Sequence, residues 1–142
     1  MSSGFRYLDH ITDVVIEAYG NTLDDAFENS ARALVNTMFD LKEVSDNDEI
    51  KVEAWGHDLE SLLYNWLEKV LLVVLIDNIV VSDFKVKISK KNDDYLLVGV
   101  ARGENMNLRI HHYKVEVKAV TYHEMEIRQE KNKVTTRFLL DI

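Results

Sequence analysis

The sequence predicts a single α+β domain, in which two amphipathic helices pack on a largely antiparallel β-sheet. Two segments of the first half carry apolar residues at the spacing of an α-helix. The second half alternates apolar and polar residues with the period of two that is typical of strands. The 142 residues match the length of one domain, so residues 1–142 are assigned to one unit.

The first strand and the first helix follow one another closely. Alternation predicts a strand over residues 13–18 that closes at Tyr19-Gly20. Helix one is expected to begin at Thr22, because Thr22-x-x-Asp25 resembles a capping box with Asp in place of Glu. Its apolar stripe consists of Leu23, Phe27, Leu34, Met38 and Leu41. The acidic residues 43–49 are expected to form a solvated loop.

A second strand leads into the second helix. Ile50, Val52 and Ala54 alternate with polar residues, and Asp58 is the expected N-cap after a turn at Gly56. One face of the helix carries Leu59, Leu62, Leu63, Trp66, Leu67 and Val70. The helix ends in a run that is apolar all round, residues 70–76, so its last turns are expected to be deeply buried.

The second half is predicted to be mostly β. Turns are expected at Asn92-Asp93 and at residues 130–133, and residues 102–112 are expected to form a long polar loop. The strands are marked by Phe84, Val86 and Ile88, by residues 95–101, by Val115, Val117 and Ala119 with Met125 and Ile127, and by Val134, Thr136, Phe138 and Leu140.

Composition limits the classes of function. The chain has no cysteine, which excludes thiol catalysis, disulfides and thiolate metal sites. It shows no signal-peptide pattern, and its longest apolar run is far shorter than the roughly 20 residues of a membrane span. We therefore expect a soluble, cytoplasmic protein. The net charge of -8 disfavours strong nucleic-acid binding and favours a metal cation or a basic protein surface as partner.

Carboxylates near the two ends of the chain form the first candidate site. Asp9, His10 and Asp13 precede the first strand, and Asp141 and the terminal Ile142 end the last one. Hard oxygen donors of this kind suit Ca²⁺ or Mg²⁺ better than Zn²⁺. The residues alone leave a plainer alternative open, in which the N-terminal aspartates cap turns and Asp141 is a solvated end.

Other candidates are weaker. Lys118, Tyr122 and His123 could serve acid–base chemistry, although such a run is more often a strand with one polar and one apolar face. His111-His112 would point to opposite faces of a strand and could bind a metal together only from a loop. Arg102-Gly103-Glu104 is expected to be a strand end that turns into a loop. The common phosphate-loop, dinucleotide, nucleophile-elbow and zinc-protease motifs are missing.

Taken together, the motifs resemble those of the archease family along the whole chain. Where the family commonly has Asp-His-Thr-Ala-Asp, this chain differs only at Ile11-Thr12 and retains Asp13. In chain order the matching segments are Asp9-His10-Ile11-Thr12-Asp13, Gly20-x-Thr22-Leu23, Gly56-x-Asp58-Leu59 with Leu62-Leu63 and Trp66-Leu67, Gly103-Glu104, Lys118-Ala119-Val120-Thr121-Tyr122-His123 and Leu140-Asp141-Ile142.

The resemblance implies an accessory protein and not an enzyme. Archeases activate the GTP- and metal-dependent RNA ligase that joins tRNA exon halves, by promoting guanylylation of the ligase's own histidine and repeated turnover. The family's metal site implies Asp13, Asp141 and Ile142 as ligands here, the last through a main-chain or terminal oxygen. The ion implied is a divalent metal, Ca²⁺ first, with Mg²⁺ or Mn²⁺ possible. His10 and His123 match family motifs without an assigned role.

Two other functions remain open at this stage. The family is also described as chaperone-like, so the alternative is a general protein chaperone or a modulator of RNA-modifying enzymes such as RNA methyltransferases. An exposed apolar patch would favour that alternative. A metal-dependent hydrolase built on the aspartates is the third hypothesis, and it predicts phosphoester turnover by the protein alone.

Overall fold

A computed structural model describes residues 3–8, 13–107 and 111–142. Over these residues it contains two α-helices and seven strands, so the predicted α+β class is confirmed. The elements are β1 (Gly4–Leu8), β2 (Asp13–Gly20), α1 (Leu23–Met38), a 3₁₀ turn (Leu41–Glu43), β3 (Asp48–Gly56), α2 (Leu59–Leu75), β4 (Ile79–Lys91), β5 (Asp94–Asn105), β6 (Ala119–Glu130) and β7 (Lys133–Asp141).

The strands form two antiparallel sheets. One has the order β1-β2-β7-β6 and the other has the order β3-β5-β4. Helix α1 packs against β2 of the first sheet and β4 of the second, while α2 packs against β3 and β6. The core lies between these layers, and its largest fully buried side chains include Trp66, Phe27 and Phe84. The Trp66 indole donates a hydrogen bond to the Phe27 carbonyl over 3.1 Å.

Both predicted helix starts are confirmed. The hydroxyl of Thr22 accepts a hydrogen bond from the backbone N–H of Asp25, and the carboxylate of Asp58 accepts one from Ser61. Both predicted hairpin turns are also present, with Asn92 and Asn132 at positive φ. No described helix is long and apolar enough to cross a membrane.

The ends of both helices differ from the prediction. Helix α1 ends at Met38, so Leu41 lies in the 3₁₀ turn and not on the helical stripe. The last turns of α2 are buried on one side only: Val70, Leu71, Val73 and Val74 are buried as predicted, but Leu72 is 45% exposed and Ile76 is 69% exposed. The strands cover only part of the circumference of α2, and these side chains lie outside that cover.

Strand boundaries in the second half were also wrong in part. The loop expected at residues 102–112 begins later, because β5 continues through Gly103, which pairs with both β3 and β4. Only glycine fits at this position, since a Cβ atom on residue 103 would collide with the Val80 carbonyl. Val115 and Val117 lie before β6 and not in a strand. Their segment is held instead at the end of α1, where the backbone N–H of Lys114 donates to the Met38 carbonyl.

At the N-terminal end, β1 lies outside every strand predicted from the sequence. The acidic loop is shorter than the predicted residues 43–49, because Glu43 belongs to the 3₁₀ turn and β3 begins at Asp48.

Candidate metal centre at the two ends of the chain

Pairing of β2 with β7 brings the first and last aspartates of the candidate site together. The two strands are antiparallel, and their register places Asp13 directly opposite Asp141. Residues that face one another in such a pair have Cβ atoms about 4.5–5.5 Å apart and side chains on the same face of the sheet. Two carboxylates separated by most of the chain are therefore neighbours in the fold.

The backbone around Asp141 is held on both sides. Its neighbour across β6 is Ala119, and the backbone N–H of Lys118 donates a hydrogen bond to the Asp141 carbonyl over 2.8 Å. The Asp141 side chain is exposed, Asp13 is half-buried, and the half-buried Ile142 packs against the core. This anchoring fixes the position of the chain end relative to Asp13.

The aspartates lie on the face of the sheet that points away from α1. The alternate residues Ile16 and Phe138 face inward and are fully buried. Farther along the outer face, Glu17 pairs with Arg6 at 2.8 Å and with Arg128 at 3.9 Å. Acidic residues on this face are thus balanced by arginines farther from the chain ends. The carboxylate of Asp141 makes no ion pair with any residue that the structure describes.

The arrangement fits a hard cation that binds through oxygen. Two opposed carboxylates and the main-chain oxygens of Ile142 are the available donors, and such donors match the preference of Ca²⁺. Within residues 3–8, 13–107 and 111–142 there is no metal-binding cluster of three or more His, Asp or Glu side chains. A site built from the described residues alone would therefore need main-chain oxygens. Asp9 and His10 lie outside the described residues.

The run from Lys118 to His123 does not form the simple two-faced strand that was expected. The register of β6 against β7 shifts between Thr121 and Glu126, so this part of β6 bulges. Tyr122 stacks on Tyr64 of α2 with ring centroids 4.3 Å apart. Burial, followed by the negative charges of Asp58 and Glu68, raises the pKa of Tyr122. Lys118 lies beside the chain end instead, and His123 is exposed.

His111 and His112 do lie in a loop, but they do not come together. His111 is only 1% exposed, and its Nε2 lies 2.8 Å from Glu104, while His112 is 70% exposed and lies 3.8 Å from Glu43. The backbone N–H of Asn107 donates to Nδ1 of His111, so Nε2 carries the proton that is donated to Glu104. The pair is therefore not a metal site.

Glu104 and Tyr64 were not singled out for any role by the sequence. Glu104 accepts a hydrogen bond from the backbone N–H of Ser45, which together with His111 lowers its pKa. It thereby ties the loop before β3 to the segment that follows β5. Tyr64 lies beside the core stripe of α2 and is partly buried against the core. No local sequence signal announces its contact with Tyr122, because the two residues are distant in the chain.

Known proteins match this chain over nearly its whole length. The sequence matches the Archease protein family over residues 5–142. Protein archease of Pyrococcus furiosus is 42% identical over 125 residues, which cover 88% of each chain. Protein archease of Sulfolobus acidocaldarius is 40% identical and covers 97% of this chain and 98% of its own.

A solved structure supports the same relationship at the level of the fold. The solution structure of protein 1598 of Methanobacterium thermoautotrophicum superposes with a TM-score of 0.86 at 39% identity. The match covers 98% of this chain and 99% of that one. This chain therefore belongs to the archease family.

Proposed function

We propose that this protein is an accessory factor, and not itself an enzyme, that activates the GTP-dependent tRNA-splicing RNA ligase in the cytoplasm. It promotes guanylylation of the ligase and repeated turnover. The observation that carries the proposal is the placement of Asp13 opposite Asp141 in the β2–β7 pair. Membership of the archease family supplies the expectation of a ligase partner, and the paired carboxylates supply a chemical feature through which it could act.

The proposal includes a divalent metal site at Asp13, Asp141 and a main-chain or terminal oxygen of Ile142. Ca²⁺ is the ion we favour, with Mg²⁺ and Mn²⁺ as alternatives, because Ca²⁺ accepts oxygen donors in flexible geometry. Like charges directly opposite one another in a sheet are destabilising. A bound cation would supply the positive charge that offsets this repulsion, while the two strands hold the carboxylates in place.

Docking onto the ligase would use the acidic character of the chain. A net charge of -8 favours a basic protein surface over phosphate backbones as the partner. The exposed Asp141 is accessible to a partner that approaches the outer face of the sheet. In this position it would help to arrange the ligase's own metals or its active-site histidine for attack on GTP.

Single-turnover guanylylation of the cognate ligase tests the proposal. The ligase is assayed alone and with the parent protein, Asp13→Asn or Asp141→Asn, in Ca²⁺, Mg²⁺ or Mn²⁺. Asp46→Asn is the matched control, since Asp46 is an exposed loop carboxylate whose loss changes the net charge equally. We expect stimulation by the parent and the control, and loss of most stimulation with the other two. Equal stimulation by all four proteins would contradict the proposal.

A second candidate is a general chaperone or a modulator of RNA-modifying enzymes. The exposed side chains of Leu72, Leu75 and Ile76 favour it, because such apolar surface can bind unfolded or partly folded clients. Suppression of the aggregation of unrelated proteins, lost in Leu72→Ser with Ile76→Ser, would support this function. Turnover of phosphoesters by the protein alone would instead favour the hydrolase hypothesis.

A further inference from the structure

Tyr122 presents an aromatic ring to solvent on β6, an edge strand of the four-stranded sheet. One face of the ring stacks on Tyr64 of α2, with the centroids 4.3 Å apart and the ring planes 12° apart. The residue is nevertheless 53% exposed. Because Tyr64 covers one face, this exposure comes from the other face and the ring edges. The stack also holds the ring in place, so a ligand that binds the open face does not have to order the side chain first.

Two carboxylates lie near this ring. The carboxylate of Glu68 accepts a hydrogen bond from the Tyr64 hydroxyl. The negative charges of Asp58 and Glu68 are both close enough to act on the Tyr122 hydroxyl. Glu68 makes no ion pair within the part of the chain that the structure describes. Lys69, the next residue along α2, lines the groove beside β3 instead. The open face of Tyr122 therefore lies in a negative potential.

Two other tyrosines of this fold show what an open ring face attracts. The Nζ atom of Lys90 lies 5.6 Å from the ring centroid of Tyr95, and that of Lys133 lies 5.8 Å from the ring centroid of Tyr19. Cations are attracted to the negative face of an aromatic ring. Over Tyr122, in contrast, no lysine or arginine of the described residues is placed. The ring thus has the open face and the nearby negative charge that suit a cation, and the described chain supplies none.

Tyr122 also lies near the candidate metal centre. Three residues along β6 separate it from Ala119, so the two Cα atoms are at most about 11 Å apart. Ala119 in turn pairs with Asp141. One surface of a partner protein can therefore contact the exposed Asp141 and the exposed Tyr122 together.

We propose that Tyr122 is a docking point for an arginine side chain on the basic surface of the ligase. The guanidinium stacks on the open face of the ring, and its N–H groups donate hydrogen bonds toward the neighbouring carboxylates of Asp58 and Glu68. The ring and the carboxylates select the chemistry of the ligand. Only the identity of the partner rests on the proposed ligase activation.

Charge and shape select arginine among the groups that stack on tyrosine. A nucleobase also stacks on aromatic rings, but the two carboxylates and the net charge of -8 repel its phosphates. A lysine ammonium is a point charge on a flexible stem, whereas a planar guanidinium can stack and donate hydrogen bonds in its plane at the same time. A second copy of this chain is disfavoured, because each copy carries the same net charge and every arginine that the structure describes already pairs with a carboxylate.

The dissociation constant of the complex with the cognate ligase tests the docking point. Surface-plasmon measurements compare the parent with Tyr122→Ala, Tyr122→Phe and the control Tyr113→Ala. Tyr113 is a matched control because it lies in the segment before β6 and is 46% exposed. We expect Tyr122→Ala to weaken binding about tenfold or more, because the guanidinium loses the ring face. Tyr122→Phe keeps that face, so this variant and the control should bind like the parent.

Glu68→Gln tests the charge of the site. The amide keeps an acceptor for the Tyr64 hydroxyl and removes only the negative charge. Asp46→Asn is the control, since it removes an equal charge from an exposed loop residue. We expect Glu68→Gln to weaken binding of the ligase more than Asp46→Asn does, with a difference that shrinks as the salt concentration rises. Equal effects of the two substitutions would show that only the net charge matters and would contradict the site.

Nuclear magnetic resonance of the isolated protein tests the ligand chemistry without the ligase. The probes are a capped Gly-Arg-Gly-Arg-Gly peptide, the same peptide with lysines in place of arginines, and a single-stranded oligouridylate. We expect the arginine peptide to shift the ring protons of Tyr122 more than those of Tyr113, and more than the lysine peptide does. An equal response to both peptides, no selective shift at Tyr122, or a selective shift with the oligouridylate alone would overturn the arginine site.

Failure of this docking point differs from failure of ligase activation. If the parent stimulates guanylylation but Tyr122→Ala binds the ligase as tightly as the parent does, the docking point is wrong and ligase activation stands. If the parent does not bind the ligase, the proposed function fails and the partner named here fails with it, while the peptide titration decides the arginine site alone. Should circular dichroism show that Tyr122→Ala is unfolded, Glu68→Gln and the peptide titration still decide the proposal.

Discussion

At the scale of single residues, Asp58 shows how one side chain starts a helix. Its carboxylate accepts the backbone N–H of Ser61 over 2.7 Å, and the Ser61 hydroxyl accepts the N–H of Asp58 over 3.2 Å. The two residues form a capping box. The backbone N–H of Ser61, followed by its hydroxyl, lowers the pKa of Asp58.

Removal of this cap should destabilise the fold measurably. Asp58→Ala is expected to lower the free energy of unfolding by about 1 kcal/mol at neutral pH, while Asp58→Asn keeps a capping oxygen and loses little. The pKa of Asp58 is lower in the folded protein than in the unfolded chain. The charged carboxylate therefore adds to the free energy of unfolding at pH values above the unfolded pKa, and this stabilisation is lost as the pH falls through the folded pKa. Urea unfolding of the three proteins across this range measures it. An alanine variant as stable as the parent would contradict the assignment.

The residue scale also shows what could not be predicted from the sequence about the candidate site. The oxygen chemistry of Asp13 and Asp141 follows from their type alone. Their opposition across β2 and β7 depends on a strand pairing between distant parts of the chain, which no local pattern specifies. The ligand roles of both residues and of Ile142 stay predictions.

At the scale of elements, helix α1 does more than fill the core. Side chains one turn apart along one face, Asp24, Glu28 and Arg32, bond to the outer edge of β4. Arg32 donates to the Phe84 carbonyl and to Asp83. Burial raises the pKa of Asp83, but the hydrogen bond and charge of Arg32 outweigh it and hold that pKa below its usual range. The helix thus covers an edge that would otherwise be open.

Glu28 offers a sharp test of this edge contact. It is 8% exposed, and burial raises its pKa despite the opposing effects of the Val86 N–H and of Arg32. The folded pKa is above the unfolded one, so the free energy of unfolding falls as the pH rises through the folded pKa. Glu28→Gln keeps an acceptor and removes the charge.

We therefore expect Glu28→Gln to be at least as stable as the parent at neutral pH. Its free energy of unfolding should not show the fall that the titration of Glu28 causes in the parent as the pH rises. Glu28→Ala leaves the buried N–H of Val86 without an acceptor and should cost about 1–3 kcal/mol. Denaturant unfolding against pH distinguishes the two variants. Equal loss of stability in both would show that the carboxylate's charge, and not its acceptor oxygen, holds the edge.

Element boundaries were predictable where caps and turn residues mark them. Thr22, Asp58 and the asparagines of the two hairpins act within a few residues of the chain, so local chemistry was sufficient. The exposed end of α2 and the bulge in β6 were not predictable, because each depends on which element packs alongside. An apolar run indicates burial only when a neighbouring layer reaches it.

At the scale of the whole molecule, the class of fold followed from periodicity, but its division into two sheets did not. Alternation marks a strand without naming its partner, and here β6 and β7 pair with β1 and β2 while β3, β4 and β5 pair among themselves. That division places the candidate metal centre in the sheet formed by β1, β2, β7 and β6.

The acidic charge of the whole molecule predicts how its docking should respond to salt. If a net charge of -8 guides the protein to a basic surface of the ligase, the association rate should fall as ionic strength rises. Stopped-flow or surface-plasmon measurements across a salt series would record this fall, with the dissociation rate changing less. An association rate that is constant or increases with salt would contradict electrostatic docking.

Calorimetric titration of Ca²⁺ tests most directly whether the two ends of the chain form a cation site. We predict saturable binding at a single site in the parent and in Asp46→Asn, and its loss in both Asp13→Asn and Asp141→Asn, with all four proteins equally folded by circular dichroism. Binding that survives either of the last two substitutions, or a parent protein that binds neither Ca²⁺, Mg²⁺ nor Mn²⁺, would contradict the account.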